Sequence, residues 1–172
     1  MKRQIILKGF HRPLQLIPAC FRNMKIGETF KFSKTVVFTD SCKYDLKSLD
    51  QYDWNKLFGI STERIHKDSW RFAWRNLNNN SVEVCAYCYD NGKRWTSGIL
   101  TLPLGIPHTF TIERDEDGYI LFNVNGKYFL AEIHDEKKRK FFWGCGLYFG
   151  GNRRAPHNII VEHHNNIIVE SL

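Results

Sequence analysis

The sequence predicts an all-β protein whose short antiparallel strands form either a two-sheet sandwich or a barrel. Apolar and polar residues alternate with a period of two over much of the chain, which is typical of strands buried on one face. Turn sequences rich in Asn, Asp and Gly separate these segments. No window shows a sustained helical period, and only residues 43–58 and 131–140 leave room for a helical turn or two.

Alternation is clearest in two early segments. In residues 29–40, aromatic and aliphatic side chains alternate with Lys, Ser and Thr. In residues 70–75, aromatic side chains alternate with Arg71, Ala73 and Arg75. The two arginines are therefore predicted to lie on the face opposite the aromatic side chains, where they would meet water, a ligand or a partner.

Residues 81–131 are predicted to form a β-meander. The tripeptide 90–92 and the dipeptide 125–126 each contain Asn-Gly, which suits the positive φ angles of tight hairpin turns. A third polar turn spans residues 115–118. Further strands are expected at 141–149, 158–164 and, beyond an Asn-Asn pair, 167–169.

The net charge of +7 is concentrated near the N-terminus. Residues 1–34 carry eight basic residues and one acidic residue, and the remainder of the chain is balanced. We therefore divide the chain into a basic N-terminal arm, residues 1–28, and a β-sandwich domain, residues 29–172. Such an arm could dock on phosphates, acidic lipids or an acidic protein, or could only keep the chain soluble. Its candidate docking residues are Lys2, Arg3, Lys8, Arg12 and Arg22.

Composition excludes several classes of protein. A hydrophobic content of 42% with 15% aromatic residues is too high for a disordered chain. No segment approaches the roughly 20 apolar residues of a membrane helix, and we expect neither a signal peptide nor a membrane partner. The five cysteines are odd in number and irregularly spaced, which favours a reducing compartment over a disulfide framework.

The order of strands and turns suggests a fold family. Residues 70–124 contain Arg-Phe-Ala-Trp-Arg, a strand ending in Asp-Asn-Gly-Lys, then Phe-Thr-Ile-Glu-Arg and Phe-Asn-Val-Asn-Gly. This series resembles the concanavalin A-like lectin and glucanase sandwiches, over roughly residues 29–164. The resemblance implies a jelly-roll sandwich of two antiparallel sheets, and it speaks to architecture more than to function.

Three further segments carry a second resemblance. They begin at Asp40 (Asp-Ser-Cys-Lys-Tyr-Asp), at Asp50 (Asp-Gln-Tyr-Asp-Trp-Asn-Lys-Leu-Phe-Gly) and at Leu147 (Leu-Tyr-Phe-Gly-Gly-Asn-Arg-Arg-Ala-Pro-His-Asn-Ile). They are similar to small proteins of gut Bacteroidales and their tailed phages, including crAss-like phages. This resemblance implies a structural virion component, such as a capsid decoration, head fibre or tail part, made in the bacterial cytoplasm. The basic arm would then clamp another virion protein or a further copy of the chain.

Catalysis is not expected. Family 16 glucanases alternate carboxylates along one strand, and the nearest counterpart, Glu113, Asp115 and Asp117, runs directly into a turn. Alginate-lyase-like sandwiches use an Arg-x-Glu strand, a Gln-x-His strand and a late Tyr-bearing strand. Tyr148 is present but the other two motifs are absent. A polysaccharide lyase or glycoside hydrolase is therefore the third functional alternative, after a virion component and a lectin-like module.

No cofactor is expected, although calcium stays open. Cys85 and Cys88 have the spacing of half a zinc site, but a second pair is missing and a strand would point them to opposite faces. Hard cations such as calcium take several oxygen ligands from irregular backbone, and legume-type lectins hold calcium beside the sugar. The candidate ligands are Asp40, Asp45, Asp50 and Asp53.

A lectin-like module would stack sugar rings on aromatic side chains and bind hydroxyls with planar polar groups. The aromatic candidates are Trp54, Trp70, Trp74, Tyr87, Tyr89 and Trp95, for each of which core packing is the alternative role. The loop 150–157 offers donors but could equally be a stiff connection. Nucleic-acid binding ranks last, because the excess charge is confined to the arm and no recognition motif is present. The selected ligand-binding or partner-binding residues are Trp54, Arg71, Arg75, Trp95, Tyr148, Asn152, Arg153, Arg154 and His157.

Overall fold

Alternating side chains and tight turns build two antiparallel β-sheets that pack face to face in the computed structural model. The structure describes residues 1–14, 21–23, 29–61, 64–78, 80–134 and 141–166. The first sheet has the spatial order β1 (Lys2–Ile6), β12 (Ile159–Asn166), β3 (Phe30–Phe38), β8 (Pro107–Arg114), β9 (Tyr119–Val124) and β10 (Lys127–His134). The second has the order β2 (Phe21–Asn23), β11 (Phe141–Cys145), β4 (Asn55–Ser61), β5 (Ser69–Asn78), β6 (Ser81–Asp90) and β7 (Lys93–Pro103).

The predicted sandwich is confirmed, and the tight turns have the expected geometry. Asn91 and Asn125 adopt φ angles of 48° and 52°, and the glycines that follow them also have positive φ. Two short 3₁₀ helices, Asp40–Cys42 and Leu49–Tyr52, lie in the segment 43–58 or just before it. In the described part of the chain, no helix has the length and apolar character needed to cross a membrane.

The described residues of the predicted arm are part of the sandwich. β1 pairs with β12 from Lys2 opposite His163 to Ile6 opposite Ile159, and Ile6 is fully buried. β2 pairs with β11 at the edge of the other sheet. The division at residue 28 therefore does not separate an extension from the sandwich in these segments, because backbone pairing holds both strands in place.

Two further strand predictions need correction at their ends. The strand expected at 141–149 ends at Cys145, after which Tyr148 forms a single bridge with Lys56. The strand expected at 158–164 extends to Asn166, and the strand proposed at 167–169 lies outside the described residues. β4 was not predicted from the sequence, and it occupies a central position in the second sheet.

Aromatic side chains fill the space between the sheets. Phe72 on β5 is fully buried, and its ring centroid lies 5.5 Å from that of Phe58 and 5.0 Å from those of Phe110 and Phe122. These contacts join β4 and β5 to β8 and β9, so that Phe72 connects the two sheets. Edge-on and tilted ring geometries of this kind add to the free energy gained by burial.

We expect Phe72→Ala to lower the free energy of unfolding by about 3–5 kcal/mol, because it removes a large buried side chain and leaves a cavity. Urea denaturation measures this change. The matched control is Tyr128→Ala on β10, where the side chain is 61% exposed and the expected change is within about 0.5 kcal/mol. Equal losses in the two variants would contradict the central position of Phe72.

Candidate functional site

The second sheet has an outer face, opposite the core, that carries the arginines of β5. As predicted, Trp70, Phe72 and Trp74 point into the core, and Arg71, Ala73 and Arg75 point outward. This face was predicted to meet water, a ligand or a partner, and at its centre water is largely excluded, because Arg71 is only 3% exposed and Ala73 is fully buried. The side chains of neighbouring strands cover both residues.

Tyr87 on β6 lies at the centre of this cover. It pairs with Arg71 in the sheet register, and the Arg71 guanidinium carbon lies 5.2 Å from the centroid of its ring. The Lys56 Nζ atom lies 4.1 Å from the same centroid, and Arg94 donates a hydrogen bond to the Tyr87 hydroxyl. Two cations therefore lie near the Tyr87 ring, and a third binds its hydroxyl group. We call this group the cation–tyrosine cluster, and it comprises Lys56, Arg71, Tyr87, Tyr89 and Arg94.

Arg71 is the most deeply buried cation of the cluster. Its Nε and Nη2 atoms are shielded from solvent and have no hydrogen-bond partner among the described residues. Gly59 is its partner on β4, and a Cβ atom there would lie 2.2 Å from the Trp70 carbonyl oxygen and 2.7 Å from Arg71 Cγ. Glycine is therefore required at position 59 for the Arg71 side chain to lie against β4.

Lys56, which is half-buried, is the second cation of the cluster. Burial, and after it the positive charge of Arg71, lowers the pKa of Lys56 from 10.5 to about 8. The Nζ atom donates a hydrogen bond to the Trp54 carbonyl oxygen. Because this pKa lies close to neutrality, the charge of the cluster changes in a mildly alkaline range of pH.

Aromatic side chains border the cluster on two sides. On one side, the Arg75 guanidinium lies 4.2 Å from the centroid of the Trp54 ring and forms a salt bridge of 2.8 Å with Glu83. On the other side is Tyr148, which is the bridge partner of Lys56. The outer face thus combines flat apolar rings with planar hydrogen-bond donors.

The N-terminal segment closes the Tyr148 side of the face. The ring of His11 stacks on that of Tyr148 with a centroid distance of 5.2 Å and an interplanar angle of 11°. The Arg12 guanidinium lies 5.6 Å from the Tyr148 centroid. Backbone hydrogen bonds between His11 and Phe149 and between Phe10 and Ala155 hold the segment in place. Arg12, predicted as a docking residue, therefore lies beside Tyr148.

The other predicted docking residues lie elsewhere. Arg3 forms a salt bridge of 2.7 Å with Glu162 on the neighbouring strand of the first sheet. The backbone N–H of Lys8 donates to the side chain of Asn158. Lys2 is exposed on β1, and Arg22 occupies β2, where only its backbone pairing is described.

Trp95 does not lie on the outer face. It pairs with Cys88 in the register of β6 and β7, and both side chains point toward the core, against which Trp95 packs. Trp95, selected as a ligand-binding residue, therefore lies on the core side of β7, away from the residues of the outer face. Trp70 and Trp74 are likewise core residues, whereas Trp54, Tyr87 and Tyr89 lie on the outer side.

The loop 150–157 borders the outer face only at its first residue. The backbone N–H of Gly150 donates to the Asn55 side chain, beside Trp54. The backbone N–H of Asn152 donates to Asp50, and the Arg153 side chain approaches the same carboxylate at 3.9 Å. His157 donates from Nε2 to the Ser41 carbonyl oxygen, and Arg154 is exposed. The structure does not bring these four polar residues into the cluster.

Of the candidate calcium ligands, Asp50 and Asp53 both place a carboxylate oxygen beside Gly151. Asp40 pairs with Lys43, Asp45 pairs with Lys47, and Asp50 accepts hydrogen bonds from the segments before and after it. Among the described residues, no group of three or more His, Cys, Asp and Glu side chains is arranged to hold a metal ion. Cys85 and Cys88 face opposite sides of the sheet, as the strand predicted.

The acidic hairpin also has the structural role that its sequence predicted. The Asp115 side chain accepts a hydrogen bond of 2.7 Å from the backbone N–H of Tyr119, which closes the turn. Glu113 lies 3.6 Å from Lys31 on the adjacent strand. These carboxylates belong to the first sheet, on the other side of the core from the cation–tyrosine cluster.

No protein-family model and no curated protein matches the sequence. Among solved structures, an alginate lyase from Pseudomonas aeruginosa is similar with a TM-score of 0.58 and 14% identity, over 90% of this chain and 77% of the lyase. An alginate lyase from a Chlorella virus has a TM-score of 0.57 and 16% identity, over 95% of this chain and 81% of the lyase. A carbohydrate-binding module from Bacillus subtilis has a TM-score of 0.41 and 8% identity, over 94% of each chain. The two lyase likenesses show that the chain has a lectin-like jelly-roll fold.

We expect Lys56→Met to change how stability depends on pH. Between about pH 8 and pH 10.5 the unfolded chain binds a proton at Lys56 that the folded chain has lost, so wild-type stability rises with pH in this window. The methionine variant lacks this contribution, which cannot exceed about 1.4 kcal/mol per pH unit for one proton. Urea denaturation of both proteins across the window measures it. A difference that does not vary with pH would contradict a lowered pKa for Lys56.

Proposed function

We propose that this protein is a non-catalytic, lectin-like carbohydrate-binding module whose ligand site is the outer face of the second sheet. The observation that carries the proposal is the arrangement of the half-buried Trp54, Tyr89 and Tyr148 rings with arginine and lysine side chains on that single face. Indole and phenol rings stack on the C–H faces of sugars, and guanidinium groups donate to their hydroxyls.

The rigidity of the face supports a binding role. Lys56, Arg71 and Tyr87 are held on three neighbouring central strands, and backbone pairing fixes their spacing. A site built on strands loses little conformational entropy when a ligand binds. The jelly-roll fold shared with carbohydrate-active proteins is consistent with this role, and the assignment itself rests on the residues of the face.

Two features of the face argue for binding without catalysis. Ala73 follows Arg71 on the same face of β5, and its partner on β6 is Cys85. Neither side chain supplies a carboxylate or an imidazole that could act as an acid or a base. Burial raises the pKa of the Cys85 thiol to about 12, which keeps it protonated and unreactive near neutral pH. Glu83, at the border, is held by Arg75.

A role in a phage particle stays a prediction that rests on sequence resemblance alone. The contacts of residues 1–14 are made with the sandwich itself, through β12, Tyr148 and the backbone near Ala155. A glycan-binding module is compatible with a place in such a particle, since the outer face does not involve β1.

The test is binding to a broad glycan panel by the whole chain, followed by titration calorimetry with the best ligand. Trp54→Ala removes a ring from the outer face, and we expect it to weaken binding by about tenfold or more. The control is Tyr128→Ala on the first sheet, which should bind as the wild type does. Thermal unfolding confirms that both variants are folded. A panel without any bound glycan, or equal weakening by the two variants, would overturn the proposal.

A further inference from the structure

We infer that the outer face selects acidic glycans, and that the Arg71 guanidinium receives a uronate carboxylate of the bound chain. This inference rests on the proposed function and specifies its ligand class. It follows from the charge of the cluster, from the unpaired donors of Arg71 and from the position of Lys56, which are three separate observations.

The cation–tyrosine cluster contains three basic side chains and no carboxylate. Glu83 is the nearest acidic residue in the register of β6, and it is already paired with Arg75 through two contacts of 2.8 Å. Asp53 acts on Lys56 and Arg94 electrostatically but makes no salt bridge with either residue among the described contacts. The positive charge is therefore only partly compensated within the protein, and an anion beside the cluster would compensate the rest.

The two unpaired donors of Arg71 have the geometry that a carboxylate requires. Nε and Nη2 lie on one edge of the planar guanidinium group, so their two N–H bonds can meet the two oxygens of a single carboxylate. A buried charged donor without a partner is unfavourable, and a carboxylate supplies an acceptor oxygen for each donor together with the opposite charge, which a neutral hydroxyl lacks. Because both atoms are shielded, entry of the carboxylate requires a small shift of half-buried neighbours such as Tyr89.

Lys56 gives the inference a second, independent signature. The charged groups that face it are Arg71 on β5, Arg94 on β7 and Asp53 in the preceding loop, together with the thiol of Cys85. Burial raises the pKa of Cys85 and of Tyr87, so neither group gains charge near neutral pH. A bound carboxylate would favour protonated Lys56 and raise its pKa from about 8. Binding should therefore weaken as the pH rises above 8 and should be accompanied by proton uptake near that pH.

The experiment compares four polymers on the wild-type protein by titration calorimetry. Alginate carries carboxylates, and its propylene glycol ester presents the same backbone with most of them neutralised. Dextran and dextran sulfate form a second pair that differs in sulfate groups. We expect alginate to bind about tenfold or more tightly than its ester, and dextran to bind no better than the ester. Calorimetry in two buffers of different ionisation enthalpy measures the proton uptake.

Variants then assign the contact to Arg71. Arg71→Lys keeps the charge but removes the guanidinium edge that presents two N–H donors to one carboxylate, and we expect it to weaken alginate binding by about tenfold. Arg153→Gln removes an exposed arginine outside the cluster and should change the affinity less than about threefold. If Arg71→Lys does not fold, the comparison of alginate with its ester on the wild type still decides the ligand class.

The outcomes separate the two proposals. Equal binding of alginate and its ester, or tight binding of dextran, would overturn acidic selectivity and leave carbohydrate binding intact. Strong binding of dextran sulfate that is unchanged in Arg71→Lys, with weak binding of alginate, would overturn the carboxylate contact. Absence of binding to every polymer and to the glycan panel would instead overturn the proposed function itself.

Discussion

β5 is buried on both of its faces, and the core and the cation–tyrosine cluster both depend on this strand. On the inner face, Phe72 connects the two sheets. On the outer face, Ala73 is small enough for the Lys56 and Tyr87 side chains to meet above it, and Gly59 leaves room for Arg71 beside it. The cations are thus held by ring faces and by the sheet itself rather than by carboxylates. A substitution on either face of β5 is transmitted to the other through a backbone that has little freedom to adjust.

The strands with strict alternation were predictable because burial on one face leaves a period of two in the sequence. β3, β5 and β8 are of this kind, and the Asn-Gly turns fixed the hairpins around β6 and β9. β4 escaped prediction because a bulge between Lys56 and Phe58 breaks the alternation and places Leu57 and Phe58, two consecutive apolar residues, in the core. β1 escaped because it is a short edge strand in a segment whose charge dominates its pattern.

The site was predictable only where one strand carries the signal. Arg71 and Arg75 were recognised because their neighbours on β5 are aromatic, and Tyr87 was one of several aromatic candidates without a reason to prefer it. Lys56 and Arg94 were missed, since a basic residue beside a turn or a strand end is usually a solvated one. Their proximity to Tyr87 results from the pairing of β4, β5, β6 and β7, which long-range register determines and local sequence does not. Trp95 shows the converse. Its aromatic ring suggested a ligand contact, but its position in the alternation of β7 directs the side chain toward the core.

The pairing of β1 with β12 has a consequence for synthesis of the chain. Lys2 lies opposite His163, so the first sheet cannot close until nearly all of the described sequence has left the ribosome. β3 likewise lacks one of its two neighbouring strands until β12 has been synthesised, because β12 lies between β1 and β3. Until then the aromatic faces of the early strands are exposed, and contacts between residues so far apart in the sequence form slowly. Production of this protein should therefore benefit from low temperature and from chaperones that shield apolar strands.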